Sequence, residues 1–191
     1  MIKKELKIEN CKLKIPAKQA GFTILESIIA ILVLSLSISG VFSAVQQSLS
    51  QSIISKDEVK AFYLAQEAIE IIKNKKDSNK IAGLNDPSIT WLDDITDASD
   101  CPFGSVCKVD ARATDKIQIC GVNWGDCPVL KQDSTTFLFN YTSGNDTNFK
   151  REIQIESINA NEIAVIVRIS WTKGSLITRE FKVKTILTNW I

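Results

Sequence analysis

The chain of 191 residues carries a formal net charge of +1 and is 45% apolar, which leaves room for one domain of ordinary size and a membrane segment. It has no histidine, which excludes Ser-His-Asp and Cys-His catalysis, and its eight glycines form no phosphate-cradling loop or dinucleotide fingerprint. No strongly basic stretch points to nucleic acid as a partner.

The near-neutrality hides an asymmetry. Residues 1–21 hold lysines at 3, 4, 7, 12, 14 and 18 against glutamates at 5 and 9, so removing them would take the chain from +1 to −3. This stretch reads as a leader and stands outside the fold. Pro16 argues against a helix running through it, because proline lacks a backbone donor and disfavours helical geometry at the preceding Ile15. After Glu26, twenty-nine residues up to Lys56 contain no charged side chain. A bilayer-spanning helix needs about twenty mainly apolar residues, and residues 22–45 meet that need. Lysines ahead of such a segment hold their side in the cytoplasm, so the remainder is expected beyond it. Glu26 is the anomaly: a carboxylate at the entry to a membrane segment is costly and marks a functional site whose partner must be found. Cleavage between Gly21 and Phe22 would create that partner, the new α-amino group of Phe22.

The residues Ala20-Gly21-Phe22-Thr23-Ile24-Leu25-Glu26, followed by fourteen small or apolar residues, closely resemble the processing site of type IV prepilins and type II secretion pseudopilins. The resemblance implies that a membrane-embedded prepilin peptidase cleaves after Gly21 and methylates the new terminus at Phe22. It also implies that Glu26 serves assembly with other pilin or pseudopilin subunits on an inner-membrane platform.

The helical pattern continues past the membrane segment to about residue 76. Gly40 and serines 35, 37, 39 and 43 are small residues of the kind that lets helices approach closely, or they merely lower the hydrophobicity. From Lys56 the pattern is amphipathic, with Ala61, Leu64, Ala65, Ala68, Ile71 and Ile72 on one face, a face that needs a sheet to cover it. Lys60, Glu67, Glu70, Lys73 and Lys75 are read as a solvated or intersubunit surface. The run from Phe62 to Lys76 resembles the corresponding half-helix of PilV-type minor pilins and of I-type minor pseudopilins, implying a minor rather than a major subunit.

Residues 77–135 form a variable region rich in Asp, Asn, Ser, Thr and Gly, with a short strand expected at 116–120. Cys101, Cys107, Cys120 and Cys127 lie here, whereas Cys11 leaves with the leader. Four cysteines in an oxidising compartment read as two disulfides. Three pairings are open; closure of the short loops favours Cys101 with Cys107 and Cys120 with Cys127, and a crossed pairing is its rival. Zinc fits poorly, because the gaps of five, twelve and six residues are too long for zinc ribbons and no histidine can complete a mixed site. Asp93, Asp94, Asp97 and Asp100 offer the oxygen donors that calcium takes, but without the spacing of a known loop, so a solvated acidic loop is the expected reading and no metal or cofactor is assigned.

From residue 136 the period becomes two. Strands are expected at 136–141, 149–157, 162–172 and 176–189, joined by turns at 143–148, 159–161 and 172–175. Ile163, Val165, Val167, Ile169 and Trp171 share one face of the third strand, and Ile177, Phe181 and Val183 one face of the last. Short turns imply antiparallel pairing. The expected fold is α+β and type IV pilin-like: a long N-terminal membrane-spanning helix (22–76) packed on a C-terminal antiparallel sheet (136–191). The terminal hairpin also resembles that of PilV-type proteins. The resemblance implies a structural subunit, a minor pilin of a type IV pilus. It resides in the bacterial inner membrane among lipid, single-pass, and then in an extracellular pilus or a periplasmic pseudopilus. A type II secretion pseudopilin or a competence-pilus subunit is the alternative within the family. A membrane-anchored adhesin, its 77–135 region contacting a ligand, is the alternative outside it. The only covalent chemistry expected besides disulfide formation is done to this chain.

Overall fold

A computed structural model describes residues 21–113, 116–173 and 177–190. The expectations on residues 1–20, Cys11 included, on Leu176, on the turn at 174–175 and on the Ile177 side chain lie outside the described residues. The chain divides into two units, Met1–Ser50 and Gln51–Ile191, and one helix, α1 (Ile24–Gly83), contributes to both.

In the first unit every described residue is exposed, so its isoleucines, leucines and valines touch no core of their own. The helix holds itself together locally: the hydroxyls of Ser35, Ser37 and Ser39 each donate to the carbonyl four residues back, at 2.8 Å. Those bonds satisfy the serines without water, as a polar residue in an apolar segment requires.

The second unit is a helix on a sheet. Ala61, Leu64, Ala65, Ala68 and Ile72 form the buried stripe of α1, and Ile71 packs only partly against it. The helix runs beyond residue 76, the expected end, because its polar continuation has tertiary partners. The Lys76 ammonium reaches the Thr188 carbonyl at 3.4 Å. The Asn79 amide donates to the Asp93 carbonyl at 2.6 Å. Such partners let a sequence of Lys, Asn and Ser stay helical where propensity alone would end it.

Five antiparallel strands make the main sheet, in the order β2 (Ile117–Gly121), β1 (Val106–Val109), β6 (Phe149–Asn159), β7 (Glu162–Lys173) and β8 (Ile177–Thr188). The last three form the expected meander. The β7 residues Ile163, Val165, Val167, Ile169 and Trp171 are all buried and share the core with the α1 stripe; Phe181 and Val183 pack against that core from β8.

The strand expected at 136–141 is corrected by the structure. Only Phe139–Asn140 (β4) is extended, and it belongs to a second sheet of order β4-β3-β5 with Lys131–Gln132 and Asn145–Asp146. Phe137 adopts φ 57°, a left-handed turn conformation that breaks the run. The Asn140 side-chain oxygen accepts from the backbone of Thr142 and Ser143 and turns the chain again. Gly144, at φ 108°, lies so near β3 that a Cβ would stand 2.2 Å from the Gln132 carbonyl oxygen, a place only glycine fills. The position beside β6 goes instead to β1, whose four residues are too few to give a period.

Arg151 on β6 is the polar exception inside the core, with no exposed surface. Its guanidinium donates to Glu67 at 2.6 Å, to the Leu64 carbonyl at 3.4 Å and to the Val109 carbonyl at 2.5 Å. Helix, β1 and β6 are thereby tied through one side chain, and Glu67, read from sequence as surface charge, is its counter-ion. The Tyr141 hydroxyl donates to the Arg151 carbonyl at 2.8 Å. Tyr141 is partly buried, and desolvation of its phenol pushes the pKa up to about 12.

Two outcomes follow for the full chain in detergent micelles. Removing one partner of a buried ion pair costs about 3–5 kcal/mol, so Arg151→Met should lower stability by about that much and Glu67→Gln by less, as read by denaturant unfolding; a wild-type midpoint for Arg151→Met would refute the strut. Because the folded state holds the Tyr141 proton more tightly than the unfolded chain, its contribution is complete below about pH 10, the ordinary tyrosine value, and is lost as pH rises toward about 12. Tyr141→Phe should therefore flatten the fall of melting temperature with pH in that window.

Candidate processing and assembly site

The sequence around Gly21 builds a helix start. Thr23 stands just ahead of α1, and its hydroxyl oxygen accepts the Glu26 backbone N–H at 3.2 Å, while the Thr23 carbonyl accepts from the Ser27 backbone at 3.1 Å. Thr23 is thus the cap residue, and Glu26 holds the third helical position, where a carboxylate also meets the positive end of the helix dipole. Thr-x-x-Glu is a sequence-readable capping signature, and it gives Thr23 and Glu26 a local role that the processing motif alone leaves unstated. Phe22 is exposed, and among the described residues nothing stands within 4 Å of where a Gly21 Cβ would project. The fold around Gly21 therefore sets no steric limit there, and neither does it at Gly40.

Together these features place an accessible Gly21–Phe22 bond, a capped helix start and one carboxylate ahead of an exposed apolar segment long enough to cross a membrane. Residues 16–42 match the prokaryotic N-terminal methylation motif. The motif supports a pilin-like or pseudopilin-like subunit anchored by its first helix, and the α+β layout, long apolar helix on antiparallel sheet, fits a type IV pilin fold. No curated protein and no solved structure matches the chain.

The other sequence candidates lie in the second unit. Disulfides join Cys101 to Cys107 and Cys120 to Cys127. The carboxylate oxygens of Asp94, Asp97 and Asp100 lie within 4.8 Å of one another. Their surroundings are those of a hydrogen-bonded loop. The Lys75 ammonium stands 2.5 Å from Asp94, and Asp97 accepts the Asp94 backbone N–H at 2.9 Å. Asp93 points elsewhere and accepts from the backbone and hydroxyl of Thr90.

Sequence reading passed over Glu152. Fully buried, its Oε1 accepts the backbone N–H of Gly125 at 2.7 Å and of Cys127 at 3.3 Å, and Arg168 lies 3.7 Å from Oε2. The legible signal beside it belongs to its neighbour. Arg151 interrupts an otherwise apolar row of Phe149, Ile153 and Ile155, and an arginine on the buried face of a strand announces partners.

Loss of a threonine cap costs about 1 kcal/mol. Thr23→Val should thus speed exchange of the Glu26 amide about fivefold and leave the second unit's exchange unchanged; equal protection in both chains would mean the cap is idle.

Proposed function

We propose that the chain is a minor pilin of a type IV pilus, made as a prepilin, cleaved after Gly21 and N-methylated at Phe22 by a prepilin peptidase, and assembled through residues 22–45. The observation that carries this reading is the methylation motif set on a helix whose apolar residues, among those described, are all exposed through residue 50. Exposed apolar surface of that extent needs lipid or other helices. Assembly exchanges one for the other: the segment leaves lipid as neighbouring subunits cover it, with serine hydroxyls already satisfied and Gly40 free of contacts, so that a neighbouring helix can come close.

Glu26 supplies the selectivity in this proposal. Ionised at the edge of an apolar bundle it is costly, and a new amino group at Phe22, on its own or a neighbouring chain, offsets it. A paired buried charge fixes register, and an unpaired one is strongly destabilising. The orientation proposed places the second unit outside the cytoplasm, which agrees with its two disulfides. The role is structural, with other pilin-like subunits and the assembly platform as partners.

Expression in a cell that possesses the pilus machinery tests the proposal. Glu26→Ala should be processed normally but fall at least about tenfold in sheared filaments, the order expected when a buried pair worth a few kcal/mol is lost. Gly21→Leu should retain the leader, visible as added mass, and stay out of filaments. A native chain recovered with its leader still attached, or normal incorporation of Glu26→Ala, would overturn the reading; the first result would favour an anchored surface adhesin.

A further inference from the structure

The register of the main sheet brings one cysteine of each bridge onto adjacent strands. β1 and β2 are neighbours, Cys107 stands opposite Ile119, and the pairing shifts at Val106/Cys107 so that Cys120 falls in the irregularity beside Cys107. Cys107 and Cys120 are thus near in register on adjacent strands but belong to opposite faces: Cys107 lies with Cys101 in the core under α1, and Cys120 is bonded to Cys127, whose loop Glu152 holds on the other face. Cys107 has Cys101 six residues away. Cys120 needs Cys127, which the loop 121–126 must carry back, with a Cα separation of 5.0 Å in the closed form.

Glu152 is placed to do this. It lies on β6, on the far side of β1 from β2, and its buried Oε1 grips the loop at two backbone N–H groups, one of them that of Cys127 itself. The neighbouring Lys150 ammonium adds a third hold, donating to the Gly125 carbonyl at 2.6 Å. None of these contacts involves sulfur, so they are available to the reduced chain once β6 is in place. We propose that Glu152 is a positioning residue for oxidation: it seats the loop so that Cys127 closes on Cys120. The chemistry is ordinary exchange with an external disulfide. One thiolate attacks the oxidant and displaces its first thiol, forming a mixed disulfide; the partner thiolate then displaces the second. Each protein bond formed takes two electrons and two protons from two cysteines and leaves two thiols of the oxidant. The proposal needs only an oxidising environment and stands independently of the pilin reading.

The test is oxidative refolding of the full chain in detergent micelles, carrying Cys11→Ser so that no fifth thiol competes. Reduced, urea-unfolded protein is refolded in glutathione disulfide and glutathione, and the bridges are mapped by mass spectrometry of unreduced digests. The reference chain should give Cys101–Cys107 and Cys120–Cys127 almost alone. With Glu152→Ala the ratio of crossed to native bridges should rise about tenfold, the order expected from losing two hydrogen bonds to a buried carboxylate. Glu152→Gln, whose carbonyl can still accept both N–H groups, should restore most of the native pairing, an outcome that loss of charge alone does not give. A companion chain with Cys101→Ser and Cys107→Ser separates pairing from folding. There Glu152→Ala should still close Cys120–Cys127 and show the circular dichroism of its parent. Native pairing in Glu152→Ala at the reference ratio, failure of Glu152→Gln to rescue, or failure of the companion chain to fold would each overturn the proposal.

Discussion

The second unit depends on the contact between the buried stripe of its helix and its sheet. Three of the stripe residues are alanines, 61, 65 and 68, and alanine costs little side-chain entropy on burial. The opposing β7 row is Ile163, Val165, Val167 and Ile169, closed at one end by Trp171 stacked at 5.9 Å on Phe149. Small residues on the helix and branched ones on the strand share one buried core. Everything else in the unit is fastened to this contact. Arg151 passes through it to tie in β1, and the disulfide-bearing stretch then has a sheet to lie on.

The two units solve opposite problems with the same helix. From Ala61 onward the apolar positions recur every three or four residues and find a sheet. Ahead of Ser50 they cover the helix all round and stay exposed. A helix that is apolar on every side belongs in lipid or among other helices, and this is why the proposal gives assembly to that half. The serine back-bonds matter there more than their number suggests: a hydroxyl satisfied by its own helix can cross from lipid to protein without losing a partner.

What could be read from the sequence divides along physical lines. The N-terminal motif, the membrane segment and the alternation of β7 were legible because each is carried by many residues obeying one period. The helix end was not, since Asn74, Ser78 and Asn79 are weak helix formers and the continuation is held by Thr188 and Asp93, which lie outside any local pattern. β1 escaped because Val-Cys-Lys-Val is too short to show alternation, and 136–141 misled because Phe137 and Leu138 are apolar yet exposed. Arg151 and Glu152 received no reading of their own. Arg151 could have been read from the apolar row it interrupts, whereas Glu152 stands in a polar row with Lys150, Gln154 and Glu156 that hides its burial.

That adjacency has one more consequence. Arg151 reaches the helix and Glu152 reaches the Cys120–Cys127 loop on the opposite side, so the two carry opposite charges to opposite faces of one strand. Sliding β6 by a single position would exchange them, thrusting an acid among the alanines and a guanidinium under the loop amides, donors facing a donor. Two neighbouring residues thus forbid the commonest error of strand alignment more firmly than the apolar alternation around them, in which isoleucine and valine would forgive the slip.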